Sequence, residues 1–137
     1  MAKYVVAKVG DIAPGAQLAF KAGGRPIVVY NLDGEYFALL DKCPHQGAPL
    51  SSGVRSGLAG HDGPGRPCMK RQGEIVMCPN HGWEFDIRTG QSWFDPANTK
   101  VKTYFSEVAS GNEVVKGPYK AETFEVSVDD NYIVVSV

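Results

Sequence analysis

The sequence predicts an all-β protein, and three observations carry that prediction. Runs rich in β-branched and aromatic residues lie toward both ends of the chain. Asp33-Gly34 stands between two such runs, and both residues tolerate the positive φ of a tight hairpin turn. Sixteen glycines and nine prolines interrupt nearly every window in which an amphipathic helix would extend.

In chain order, Tyr4–Val9 reads as a first strand ended by Gly10-Asp11. Pro26–Leu32 and Glu35–Leu40 form the hairpin around Asp33-Gly34. Val101–Val108 and Glu113–Lys116 are further strands, and Thr123–Val128 and Tyr132–Val137 alternate around Asp129-Asp130-Asn131. Helix is expected only as one short turn near residues 95–98. Between the β-rich ends, residues 41–97 are loop-rich and hold all three cysteines and all three histidines. Within them, residues 53–73 are rich in Gly and Pro and locally basic, and read as a loop insertion. The 137 residues suit one domain, 1–137, with 41–97 as a smaller subdomain.

Hydrophobic residues at 43% and charged residues at 21% are ordinary for a globular chain with its own core. The formal net charge of −1 gives no electrostatic case for nucleic acid or an anionic membrane. No apolar run approaches the roughly 20 residues that span a bilayer. Met1 to Gly10 lacks the long apolar segment of a secretory signal, so the expected compartment is the cytoplasm. There, an odd number of cysteines reads as metal ligands in preference to disulfides.

The chemistry concentrates in Cys43-Pro44-His45-Gln46-Gly47 and Cys78-Pro79-Asn80-His81-Gly82-Trp83. A Cys-x-His or Cys-x-x-His spacing lets one loop aim a thiolate and an imidazole at one metal centre, and two loops supply four ligands. A Cys2His2 set suits tetrahedral zinc. It also suits a [2Fe–2S] centre in which thiolates hold one iron and imidazoles the other. Zinc modules usually pair Cys with Cys and His with His, so the Cys-His, Cys-His order favours iron–sulfur over a zinc-stabilised binding module. The glycines allow unusual φ and close approach of backbone amides to sulfur.

These residues resemble the Rieske iron–sulfur family over at least residues 41–96, from Cys43 through Leu50, Cys78 through Asp86 and on to Asp86-Ile87-Arg88-Thr89-Gly90. The resemblance implies a Rieske-like antiparallel β-sandwich with a small cluster-binding subdomain. It implies that Cys43 and Cys78 hold the inner iron, and that His45 and His81 hold the outer, electron-accepting iron near the surface. Gln46, Gly47, Asn80, Gly82 and Trp83 are the residues implied to surround these ligands. The quinol-oxidising branch has a loop-to-loop disulfide where this chain has Ala48 and Asn80. It has a serine and a tyrosine where this chain has Trp83 and Phe85. Fewer donors to sulfur imply a potential near the low end of the Rieske range of about −150 to +300 mV.

The resemblance therefore implies an electron carrier and not a catalyst by itself. Its partners would be a reductase, often a flavoprotein, and a terminal oxygenase; a Rieske subunit of a larger oxidoreductase is the alternative. Trp83, Phe85, Trp93 and Phe94 are expected to pack beneath the loops. Asp95-Pro96 or Gly117-Pro118 would supply a proline loop over the cluster. His61 and Cys68, in the inserted segment, read as a surface histidine and an uninvolved thiol in preference to an extra metal pair or redox-sensitive site. Arg55, Arg66, Lys70 and Arg71 form a basic segment, read as solvated loop charge or as a surface for an acidic partner.

Overall fold

A computed structural model describes residues 2–44, 47–61, 64–65, 67–80, 82–93, 96–121 and 126–137, with backbone alone at 58–61 and 67–70. Among the described residues, ten strands and one short α-helix follow in order, with a 3-10 turn at Leu50–Ser52: β1 (Lys3–Lys8), β2 (Gln17–Ala22), β3 (Arg25–Leu32), β4 (Glu35–Leu40), β5 (Val54–His61), β6 (Pro67–Met77), β7 (Glu84–Asp86), β8 (Thr103–Ser110), α1 (Gly111–Lys116), β9 (Tyr119–Lys120) and β10 (Asn131–Ser136). Seven strands form one sheet in the order β2-β3-β4-β8-β10-β1-β9, and β5-β6-β7 form a second. Pairing is antiparallel except between β1 and β9.

Strand β3 explains why the large sheet holds together. Val28, Tyr30 and Leu32 enter a core shared with the small sheet, while Ile27 and Val29 enter a second core with Ala7, Ile133 and Val135. A strand buried on both faces reads as a continuous apolar run, as Ile27 to Tyr30 does. The β3–β4 turn places Asp33 at φ 54° and Gly34 at φ 92°, the positive-φ pair that the Asp-Gly dipeptide predicted. Strand β10 divides its side chains in the same way: Ile133 and Val135 enter the second core, and Tyr132 and Val134 a third with Val5, Ala109 and Val114.

Three expectations are corrected. Glu113–Lys116 is helical, because Ser110 caps Glu113 N–H at 3.3 Å and donates its hydroxyl to the Glu113 carboxylate at 3.2 Å. That Ser110 cap outweighs the strand-like Val114-Val115 pair. Residues 126–128 are not a strand, because β1 and β8 occupy both hydrogen-bonding edges of β10; residues 123–125 lie outside the described residues. The 53–73 segment is not loop but most of the β5–β6 hairpin. Strand β2, which Gly23-Gly24 joins to β3, was not expected.

The register of the β5–β6 hairpin slips between Ser56 and Leu58, opposite a stretch in which Arg71 has φ 52° and Gly73 φ 80°. The bulge serves a network between the sheets. Arg71 donates to Glu74 at 3.0 Å and to the buried Asp86 at 2.8 Å. Arg88 donates to Glu74 at 2.8 Å, faces Glu35 at 3.6 Å and covers the Phe37 ring at 4.9 Å. Arg55 donates to the Gly73 and Gly15 carbonyls while stacked 5.2 Å from Tyr30. Arg55 and Arg71 are therefore structural clamps and not free docking charge; Arg66 and the Lys70 side chain lie outside the described residues. Among the described residues, no helix is long and apolar enough to cross a membrane.

Candidate metal centre

Two loops carry the candidate ligands, and their backbones close in the same way. Cys43 N–H donates to the Ala48 carbonyl at 2.7 Å, and Gly47 N–H donates back to the Cys43 carbonyl at 2.8 Å. Cys78 N–H donates to the Trp83 carbonyl at 2.7 Å, and Gly82 N–H donates to the Cys78 carbonyl at 3.0 Å. Each loop is thus a six-residue frame running from cysteine to the fifth residue beyond, with glycine at the fourth. Gly47 has φ 78° and Gly82 φ 72°. This left-handed turn is why glycine stands there. Crowding is not the reason: a Cβ on Gly82 would meet Met77 Sδ at 3.6 Å, ordinary contact, and one on Gly47 the flexible end of Lys42 at 3.2 Å.

The frames hang from different sheets. β4 feeds the first, and the Asp41 carboxylate ties down its far end by accepting from Ser51 N–H and Ser51 Oγ, each at 2.7 Å. The Gln17 side chain holds the Ser51 carbonyl at 2.7 Å. The second frame joins β6 to β7, whose central Phe85 is fully buried. The Glu84 carbonyl accepts from Trp93 N–H at 2.9 Å, bracing the chain after the loop. Behind it, Asp86 is held by Arg71 and by Arg88 N–H at 2.9 Å. The Arg88 guanidinium, with that of Arg71, holds the Glu74 carboxyl below the ordinary carboxylate range.

Cys43 and Cys78 are 1% and 2% exposed, share one apolar core with Ala48, Leu50 and Phe85, and form no disulfide. Two soft thiol donors shielded from water in one apolar core fit a thiolate-bound metal centre, whose positive charge offsets the cost of burying thiolates. His45, Gln46 and His81 lie outside the described residues, so the described set holds half of the expected ligands. Asn80 is exposed, and Trp83 packs partly buried against the shared core beside Phe85. Trp93, by contrast, is 43% exposed and does not pack beneath the loops; Phe94 and Asp95 lie outside the described residues. Gly117-Pro118 leads into Tyr119, which packs on the third core and not the one holding the cysteines. The side chains of His61 and Cys68 are not among those described. The shared frame was visible in the sequence as Cys-Pro-x-x-Gly occurring twice, whereas the Asp41–Ser51 clamp left no comparable signal.

The chain matches the Rieske [2Fe-2S] domain family over residues 2–105. It is 31% identical over 115 residues to the biphenyl 2,3-dioxygenase ferredoxin component of Rhodococcus jostii, covering 84% of this chain and 92% of that protein. It is 34% identical over 113 residues to the 3-phenylpropionate/cinnamic acid dioxygenase ferredoxin subunit of Photorhabdus laumondii, covering 82% and 91%. Among solved structures, the Sphingomonas yanoikuyae B1 ferredoxin superposes with a TM-score of 0.57 at 29% identity, over 75% of this chain and 86% of that one. The ferredoxin of carbazole 1,9a-dioxygenase from Nocardioides aromaticivorans shares the fold at a TM-score of 0.61 and 21% identity, over 97% of each chain. With the family shown, a zinc module is set aside, and the cofactor that suits the two buried thiols is a Rieske-type [2Fe–2S] cluster. The chain belongs to the Rieske [2Fe-2S] domain family.

Proposed function

We propose that this chain is a one-electron carrier whose Cys43, His45, Cys78 and His81 hold the Rieske cluster. It would take an electron from a reductase, of the flavoprotein class, and pass it to the terminal oxygenase of a ring-hydroxylating system. The observation that carries the ligand assignment is the pair of equally closed Cys-Pro-x-x-Gly frames with both thiols in one core. Each frame has a single histidine inside it, so the two together offer two thiolates and two imidazoles. The relatives that support the partners are themselves ferredoxin components of dioxygenase systems. A cytoplasmic setting accords with cysteines left reduced for metal.

When bound, the cluster supplies one-electron chemistry with no transfer of substrate atoms. The residues of the chain do the rest. Burial of Cys43 and Cys78 in one core keeps water from the thiolates, and the two clamps, Asp41–Ser51 and Arg71–Asp86, brace the segments on either side of the loops. A rigid surround limits rearrangement when the charge changes.

The test is purification of the iron- and sulfide-loaded protein with metal analysis, absorption and EPR of the reduced form. Two irons and two sulfides per chain with a Rieske EPR signal are expected, lost in His81→Ala and in His45→Ala. A colourless zinc protein, or an unchanged signal in either variant, overturns the proposal.

A further inference from the structure

The first ligand frame borders a groove of about 500 Å3 formed by Lys42, Lys100 and Lys102 above Leu40, Pro44 and Val101. Cys43 also lines it, whereas among the described residues none of the second frame does. The groove therefore borders the first loop, on the side of Cys43.

The backbone brings these lysines together. The Lys102 carbonyl accepts from Leu40 N–H at 2.9 Å, which lays the segment before β8 beside the entry to the loop. Lys102 points its ammonium over the Tyr104 ring at 5.3 Å. The Lys42 stem runs along the frame, with Cε 3.2 Å from where a Cβ on Gly47 would lie. All three lysines are exposed, and among the described residues no acidic side chain lines the groove. Among the described residues none of the three is in an ion pair, whereas Lys3, Lys8, Arg71 and Arg88 each face a carboxylate.

Three positive charges with no carboxylate partner among the described residues stand in one groove of a chain whose net charge is −1. A groove with an apolar floor and a cationic rim is complementary to a protein surface bearing Asp and Glu around an apolar centre. Its field reaches about 8 Å at physiological ionic strength, enough to orient an approaching face.

We propose that the Lys42–Lys100–Lys102 groove is the seat of an acidic protein redox partner, bringing it against the Cys43 flank of the centre. This rests on the electron-carrier reading given above and adds the charge and the side of approach. The small anion hexacyanoferrate(III) probes the field: one electron leaves the reduced protein, and the reagent iron goes from Fe(III) to Fe(II). Poly-L-glutamate serves as the redox-inert acidic surface.

In stopped flow, the oxidation rate constant of the reduced holoprotein should fall about tenfold or more from low to near-physiological ionic strength. The cation tris(phenanthroline)cobalt(III) should show the opposite salt dependence. The triple variant Lys42→Gln, Lys100→Gln, Lys102→Gln should lose most of that dependence, and K100Q/K102Q, which leaves the loop residue alone, should lose part of it. Poly-L-glutamate should slow oxidation of the native protein and not of the triple variant. Equal rates and equal protection in native and variant proteins with intact EPR signals overturn the proposal. Calorimetric titration with poly-L-glutamate needs no cluster, so it decides the groove even where the electron-carrier reading fails; equal Kd for native and variant is again the overturning result.

Discussion

Two glycines next to the metal loops stand there for opposite reasons, and substitution separates them. Gly82 has φ 72° and room for a methyl group, with Met77 Sδ at 3.6 Å. Gly82→Ala therefore meets a conformational cost of about 1–2 kcal/mol for left-handed backbone. Restricting the unfolded chain returns about 0.4–1 kcal/mol. The balance is a loss of about 1 kcal/mol. Asparagine enters the left-handed region more readily, so Gly82→Asn should lose less than Gly82→Ala. Gly53 has φ −80°, which any residue adopts, but a Cβ there would overlap the Met77 carbonyl oxygen. Gly53→Ala has to push the end of β6, one residue before Cys78, at a cost of about 2–3 kcal/mol or more. Gly53→Asn is no better. Denaturant unfolding of the holoprotein by circular dichroism, alongside cluster absorbance, measures all four. If asparagine fails to outperform alanine at 82, or does so at 53, the reasoning from φ and from overlap is wrong.

Glu74→Gln should destabilise the protein at neutral pH, because the Arg88 and Arg71 guanidinium groups hold the Glu74 carboxyl below its ordinary 4.5. A lowered carboxylate pKa stabilises the fold above the ordinary value, and that contribution vanishes as pH falls through the lowered one. The Tm gap between native and variant should therefore be full at pH 7 and shrink as pH falls below the ordinary 4.5 and through the lowered pKa; a gap independent of pH counts against the network. Ser110→Ala removes the cap of α1 and should cost about 1 kcal/mol. The EPR signal should stay unchanged, since α1 packs on the third core; a shifted signal would show that the ends of the sheet communicate. Asp41→Ala removes two hydrogen bonds to a charged acceptor and should cost about 1.5–3 kcal/mol. Loss of cluster should outpace loss of secondary structure on heating; simultaneous loss would deny the clamp a local role.

Where sequence reading succeeded, one local rule agreed with the tertiary environment. Asp33-Gly34 makes a turn whose positive φ values match the dipeptide, and the strands beside it have the apolar runs that a doubly buried sheet needs. It failed where tertiary contacts decide. The β5–β6 hairpin has glycines and charges where an apolar alternation would announce a strand, and its bulge is stabilised by Arg71, Glu74 and Asp86 drawn from two strands. Val126–Val128 has a strand composition but no free edge on β10. Trp93 is aromatic near the ligands, yet its neighbourhood leaves it in solvent. The four ligand candidates stood out because metal chemistry restricts residue type and spacing together. The lysine groove did not, because Lys42 and Lys102 meet only through the pairing of Leu40 with Lys102.

The two frames also separate what closes the loop from where each proposed histidine ligand stands in the sequence. Both close between cysteine and the fourth and fifth residues beyond, yet histidine is the second residue after Cys43 and the third after Cys78. The unequal Cys-x-His and Cys-x-x-His spacings therefore do not reflect loops of unequal length; histidine takes a different sequence position inside equal frames. Exchanging residues 45 and 46, as His45→Gln with Gln46→His, leaves Cys43, Gly47, Ala48 and their closing hydrogen bonds untouched while moving the imidazole by one residue, about 3.8 Å along the chain. Ligand geometry tolerates about 0.5 Å. The exchange variant should fold with circular dichroism like that of the native protein and fail to assemble the Rieske centre. Full iron loading with a native EPR signal would show that the frame, and not the position of the histidine within it, decides assembly.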